Sequence, residues 1–111
     1  MKHETTINFT AKLEENGEIG ISIKDLNGDK TPEFCQAQLS IIIMLMFKNS
    51  ERVIAHFLDK LDAEKQITTN INIICEETDD DITLDMNVKD GMGYLFLNFI
   101  KEQYAEFEVE E

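Results

Sequence analysis

A two-layer α+β fold is expected from three features of this 111-residue sequence. Four segments alternate apolar and polar residues, turn-rich links join them in pairs, and an apolar-rich helical segment follows each pair. Strict alternation gives every strand one dry side and one wet side. The sheet is therefore antiparallel, with its helices gathered on one face. The expected arrangement is a four-stranded antiparallel sheet with about three helices, built as ββα-α-ββα in one domain over residues 1–111.

The first strand places Ile7, Phe9, Ala11 and Leu13 on one side and Thr6, Asn8, Thr10 and Lys12 on the other. The second does the same with Ile19, Ile21 and Ile23. A two-residue turn at Asn16 and Gly17 would set Leu13 opposite Gly20 and send the two apolar rows to opposite faces. A three-residue loop of Glu15, Asn16 and Gly17, with Gly17 left-handed, sets Leu13 opposite Ile19 and Ala11 opposite Ile21. The three-residue loop is the expected one.

Residues 25–30, DLNGDK, form a turn-rich link. The spacing of Asp25, Asn27 and Asp29 is similar to the start of an EF-hand loop. Gly28 stands at the fourth position of that spacing, where the loop needs glycine at the sixth, and no acid occupies the twelfth. An ordinary loop is the better reading.

The helix that follows is the element the rest of the chain must cover. Thr31 is expected to cap it, with Pro32 in the first turn and Glu33 near the positive end of the helix dipole. Residues 41–47 are apolar without interruption, so this helix needs enclosure on all sides. Lys48, Asn49 and Ser50 are expected to break the run, with Ser50 capping a second helix to residue 61. Val53, Ile54, Phe57, Leu58 and Leu61 form the stripe of that second helix, and His56 borders it. Residues 62–65 are expected to be a polar connection.

The third strand turns Thr69, Ile71, Ile73 and Cys75 inward, and the fourth Ile82, Leu84, Met86 and Val88. Asp90 is expected to cap a last helix to about Tyr104, carrying Tyr94, Leu95, Leu97, Phe99 and Ile100. The glutamates of residues 106–111 have little to bury and are expected to fray. Residues 5–48 and 67–107 share this plan as a pseudo-repeat of pattern, with Ile7, Asn8 and Phe9 corresponding to Ile71, Asn72 and Ile73.

Composition bounds the function. The formal charge is −13, and residues 1–48 carry five lysines against seven acids while residues 49–111 carry five cations against sixteen acids. A field of that sign repels phosphate backbones and anionic membranes and attracts cationic surfaces, which argues against direct nucleic-acid binding. Cys35 and Cys75 are too few for a disulfide framework and are expected to be reduced and buried. The first ten residues lack an apolar signal core and the apolar run is too short to span a bilayer, so a cytoplasmic protein is expected. The abundance of Ile, Asn, Lys and Glu, with Arg52 as the single arginine, resembles the composition of proteins from AT-rich bacterial genomes and their phages.

No glycine-rich phosphate loop, CxxC, HExxH or GxSxG occurs. The histidines are His3 and His56, and the serines Ser22, Ser40 and Ser50. No catalytic residues, cofactor or metal ligands are assigned, and no enzyme is expected, a small enzyme with carboxylate chemistry being the lesser alternative. The local feature that stands out is the second hairpin tip, with no Lys or Arg between Lys65 and Lys89. With Cys75 opposite Ile82, Glu76 would face Asp81 and Glu77 would face Asp80, a pairing that costs up to about 1 kcal/mol per pair. Glu76, Glu77, Asp79, Asp80, Asp81 and Asp85 are the expected partner-binding residues, with the glutamates of residues 106–111 expected to add to them. A solvated turn that blocks edge-to-edge pairing is the plainer reading, and a divalent-cation site the weaker third.

The leading expectation is a non-enzymatic acidic binding protein. It would act as an inhibitor or DNA mimic of the kind phages and mobile elements use, occupying a basic surface on a partner such as a nucleic-acid-binding protein. The alternative is a structural or accessory phage-type protein that assembles through its apolar helices, with acidity serving solubility. A homodimer would cover apolar surface at residues 41–47 and 94–100 that one sheet face leaves over, and its rival is cover by the helix at residues 50–61.

Overall fold

The computed structural model describes residues 2–103, apart from the side chains of Phe34 and Gln103. Strand β1 spans Lys2–Leu13 and β2 Ile19–Asp25, and a 3-10 turn at Gly28–Lys30 leads into helix α1, Glu33–His56. Helix α2 follows at Leu58–Glu64, then β3 at Gln66–Glu77, β4 at Ile82–Val88 and helix α3 at Gly91–Gln103. The four strands form one antiparallel sheet in the order β2-β1-β3-β4. The α+β class and the ββα-α-ββα order are those the alternation predicts.

Alternation decides which side is dry. Ile7, Phe9 and Ala11 of β1, Ile67, Ile71, Ile73 and Cys75 of β3, and Leu84 and Met86 of β4 are all buried. They meet Cys35, Leu39, Ile42, Leu45, Met46 and Val53 of α1 and Phe96, Leu97 and Ile100 of α3 in one core. The rings of Phe9 and Phe96 meet edge to face at 4.7 Å between centroids, a favourable arrangement for two aromatic quadrupoles. The opposite face of the sheet carries hydrogen-bonded amides and hydroxyls. Asn8 donates to Asn70 at 2.8 Å and to Thr68 at 3.1 Å, and Asn72 donates to Glu4 at 2.8 Å.

The first hairpin closes as its polarity requires. Leu13 pairs with Ile19 and Ala11 with Ile21, Glu14 N–H donates to Glu18 C=O at 2.8 Å, and Gly17 takes φ +86°. That positive φ is the conformation a three-residue loop demands at its last position.

Four local expectations are overturned. Thr31 does not cap α1: the N-cap is Pro32, and the Thr31 hydroxyl donates to the Asp25 carboxylate at 2.7 Å. Residues 48–50 do not break the helix either. Asn49 donates to Leu45 C=O at 2.8 Å and Ser50 to Phe47 C=O at 2.8 Å, so polar side chains buried there are satisfied by the helix itself. The break comes at Phe57, with φ −120° and ψ 17°, and it leaves Leu58 46% exposed outside its expected stripe. Residues 62–64 then belong to α2, which ends at Lys65 in the left-handed conformation, φ 67°.

The second hairpin also departs from its expected pairing. Its register sets Cys75 opposite Leu84, Glu76 opposite Thr83 and Glu77 opposite Ile82, two residues away from the expected pairing. The strands run on until Thr78 and Asp81 close the turn, Thr78 N–H donating to Asp81 C=O at 2.9 Å. Opposed carboxylates are avoided, because each glutamate faces an uncharged residue.

Asp90 caps α3 as expected, accepting from Gly93 N–H at 2.8 Å and from the Thr69 hydroxyl at 2.7 and 2.8 Å. The helix lies close to the sheet at Gly93. A Cβ there would stand 2.9 Å from Val88 Cβ and 3.3 Å from Thr69 Oγ1. Tyr104, the end of the pseudo-repeat at residue 107 and the expected fraying of residues 106–111 lie outside the described residues.

Candidate functional site

Because β1 runs antiparallel to both neighbours, its N-terminal end meets the C-terminal end of β2 and the tip of the β3–β4 hairpin. Residues 2–4, 25–33 and 76–85 therefore share one end of the sheet. That end holds Glu4, Asp25, Asp29, Glu33, Glu76, Glu77, Asp79, Asp80, Asp81 and Asp85, against Lys2 and Lys30. The other end lies about 35 Å away along β1, taking a rise of about 3.3 Å per residue. There Glu14, Glu15, Glu18, Asp59, Asp62 and Glu64 are interleaved with Lys12, Lys60 and Lys65, and Lys60 pairs with Glu64 at 3.9 Å. The negative charge is concentrated at the first end.

The six partner-binding candidates are gathered there but not on one face. Glu76 and Asp85 project from the open face of the sheet, where Glu76 meets Lys2 at 3.6 Å. Lys2 is largely in water and Glu76 about a third exposed, so solvent screens the pair and it neutralises little. Glu77 falls on the helix side, near enough to α1 for its charge to act on Cys35. Asp79 and Asp80 stand exposed at the turn between these faces and have no ion-pair partner among the described residues. Asp81 is tied into the turn, its carboxylate accepting from Ile82 N–H at 2.8 Å and its backbone N–H donating to Thr78 Oγ1 at 3.2 Å. The tip is a hydrogen-bonded turn in which the Asp81 carboxylate is held and those of Asp79 and Asp80 face water.

Asp29, Glu33 and Glu4 join this end although sequence reasoning did not single them out. Strand order is what brings them in, and no local pattern encodes it. Asp25 contributes less charge to the surface than its neighbours because its carboxylate is occupied. Burial acts to raise its pKa, but hydrogen bonds from the hydroxyls of Thr5 and Thr31 and from the backbone of Asn27 and Gly28 outweigh this and hold it below the usual aspartate value. Asp25 is a structural anchor for the loop, which also accounts for the calcium-like spacing around it.

The remaining reactive groups are dispersed. His3 lies in β1 beside Asn27, at 3.4 Å, whereas His56 is exposed at the end of α1 with Nδ1 2.9 Å from Arg52 C=O. Ser40 and Ser50 donate to helix carbonyls. Cys35 and Cys75 are free and buried, with Cys35 pushed up to about 12 chiefly by burial. Depressions beside the first hairpin are shallow and lined by residues such as Leu13, Glu14, Glu15 and Lys65. Among the described residues no three His, Cys, Asp or Glu side chains converge as a metal site, and no helix is long and apolar enough to cross a membrane.

Comparison with protein-family models, with curated proteins and with solved structures finds no match to this chain, so its function is argued from the site alone.

Proposed function

We propose that this chain is a non-enzymatic binding protein whose acidic end docks on a basic surface of another protein. The observation that carries the reading is the asymmetry of charge between the two ends of the sheet. Carboxylates at one end outnumber lysines ten to two, whereas at the other they are interleaved with lysines six to three. Like charges held this close repel, and a cationic partner relieves that repulsion on binding. Carboxylates on a hydrogen-bonded turn also stand in well for phosphates, which makes the nucleic-acid-binding face of a protein the best-matched partner. Such a protein would inhibit by occupancy.

Capture from a bacterial lysate at low and high salt, read by mass spectrometry, tests the reading. A partner rich in Lys and Arg, retained at about 50 mM salt and released at several hundred millimolar, is the expected result, because exposed charges are screened beyond about 10 Å at 0.1 M. Retention that is indifferent to salt overturns it.

A further inference from the structure

Strand β2 lies at an edge of the sheet, and the hairpin's hydrogen bonds fix which of its backbone groups are free. Glu14 N–H donates to Glu18 C=O and Leu26 N–H to Thr6 C=O, so the even-numbered residues of β2 turn their N–H and C=O toward β1. Those of Ile19, Ile21 and Ile23 therefore point away from the sheet, and among the described residues nothing pairs with them. The same three side chains are poorly covered. Ile19 is 37% exposed and Ile21 and Ile23 are half-buried, whereas Ile7, Phe9 and Ala11 of the neighbouring strand are fully buried. The register with β1 runs unbroken over residues 19–25, with no bulge or proline to blunt the edge.

We infer that this edge pairs with the β2 edge of a second copy, antiparallel about a twofold axis at Ile21, joining the two sheets into one of eight strands. The strand is its own complement in that register. Ile21 faces its counterpart and Ile19 faces Ile23, so the free N–H and C=O groups meet as hydrogen-bonded pairs and the apolar rows stay on one side. On the other side Ser22 faces Gly20, and Glu18 faces Lys24 at each end, an opposite-charge pair formed twice. Within one copy Glu18 stands opposite Glu14, and the incoming lysine relieves that like-charge pair.

Charge selects this occupant. The chain's own residues 104–111, YAEFEVEE, hold no cation to set beside Glu18. The other edge, β4, lacks the match: paired with itself about its middle residue, it would set Asp85 against Asp85. Antiparallel pairing at β2 also holds the two acidic ends at opposite extremes of the dimer. Gly17 of one copy reaches Asp25 of the other, whose carboxylate is already held by Thr5 and Thr31. The tip at residues 76–85 belongs to the far edge of the sheet, so the pairing leaves it free to dock. One seven-residue strand from each copy makes a small interface, and the dimer is reversible and concentration-dependent.

Sedimentation equilibrium of the whole chain from micromolar to millimolar concentration, with amide hydrogen exchange followed residue by residue by NMR, tests the inference. The expected result is a monomer–dimer equilibrium in which the Ile21 and Ile23 amides exchange freely in the monomer and become protected as the dimer fills. Lys24→Glu should weaken the dimer about tenfold, because both Glu18–Lys24 pairs turn repulsive. Glu18→Lys/Lys24→Glu, with the net charge of the wild type, should bring it back to within about threefold. Both positions are exposed, so the unfolding midpoint should be retained. A monomer at every concentration overturns the inference, and so does a dimer in which those amides stay unprotected. Protection already present in the monomer overturns it too, since the chain itself would then cover the edge. A charge swap as weak as Lys24→Glu alone overturns the register.

Discussion

Ile7 and Ile71 are direct cross-strand partners at the junction of β1 and β3, and they occupy equivalent positions of the two ββα halves. The pairs around them repeat the relation: Thr5 faces Ile73, and its counterpart Thr69 faces Phe9. Thr5 donates to Asp25 at 2.7 Å and Thr69 to Asp90 at 2.7 Å, so each half ties its first strand to the link before its helix by the same contact. The strand register about the two isoleucines and the threonine-to-aspartate contact therefore occur in both halves.

Both isoleucines are fully buried. Ile7→Ala and Ile71→Ala should each cost about 2–4 kcal/mol, the range for such truncations in a packed core. Because the side chains touch, the double variant should depart from the sum of the singles. Urea denaturation of the four proteins measures this.

Gly93 is required by the approach of α3 to the sheet. Gly93→Ala puts a Cβ 2.9 Å from Val88 Cβ, and the loss expected from such overpacking is about 1–3 kcal/mol despite alanine's better helix propensity. Thermal unfolding should show it. Val88→Ala removes Cγ1, which would stand 3.1 Å from the added Cβ, and leaves the Val88 Cβ contact, so pairing it with Gly93→Ala should recover only part of the loss.

The thiols predict an alkaline limit. Both cysteines have pKa values raised by burial, Cys35 to about 12 from an ordinary 9.0. In the unfolded chain they ionise near 9, so between about pH 9 and 12 the folded protein holds more protons than the unfolded. Stability contributed by the neutral thiols is complete below pH 9 and is lost as pH rises through that window. Denaturant midpoints should fall more steeply from pH 9 to 10.5 in the wild type than in Cys35→Ala/Cys75→Ala, measured against each protein's own value at pH 8. At neutral pH both thiols should resist alkylation until the protein unfolds.

Alternation made the four strands, their inward rows and the register of the first hairpin legible in sequence. Leu13, Ala11, Ile19 and Ile21 allow one register in which both apolar rows share a face. The second hairpin was less constrained. A shift of two residues keeps every inward residue inward, so polarity cannot distinguish Ile82 from Leu84 as the partner of Cys75; Thr78 and Asp81 decided it by closing the turn. The helix boundary was misplaced because Asn49 and Ser50 read as breakers, although inside a helix their side chains bond to carbonyls three and four residues back. Of the acidic end, the hairpin tip was visible as a charge run. Glu4, Asp29 and Glu33 were not, since they join it only through the strand order.

The proposed binding depends on the position of charge rather than on its amount. Two variants of matched net charge separate these: Glu77→Gln/Asp79→Asn/Asp80→Asn at the acidic end, and Glu14→Gln/Glu15→Gln/Glu18→Gln at the opposite loop. Affinity for the captured basic partner, measured by titration calorimetry at fixed salt, should fall at least tenfold in the first variant and stay within about twofold in the second. Equal losses in both would contradict a localised binding end and leave only the bulk charge of the chain.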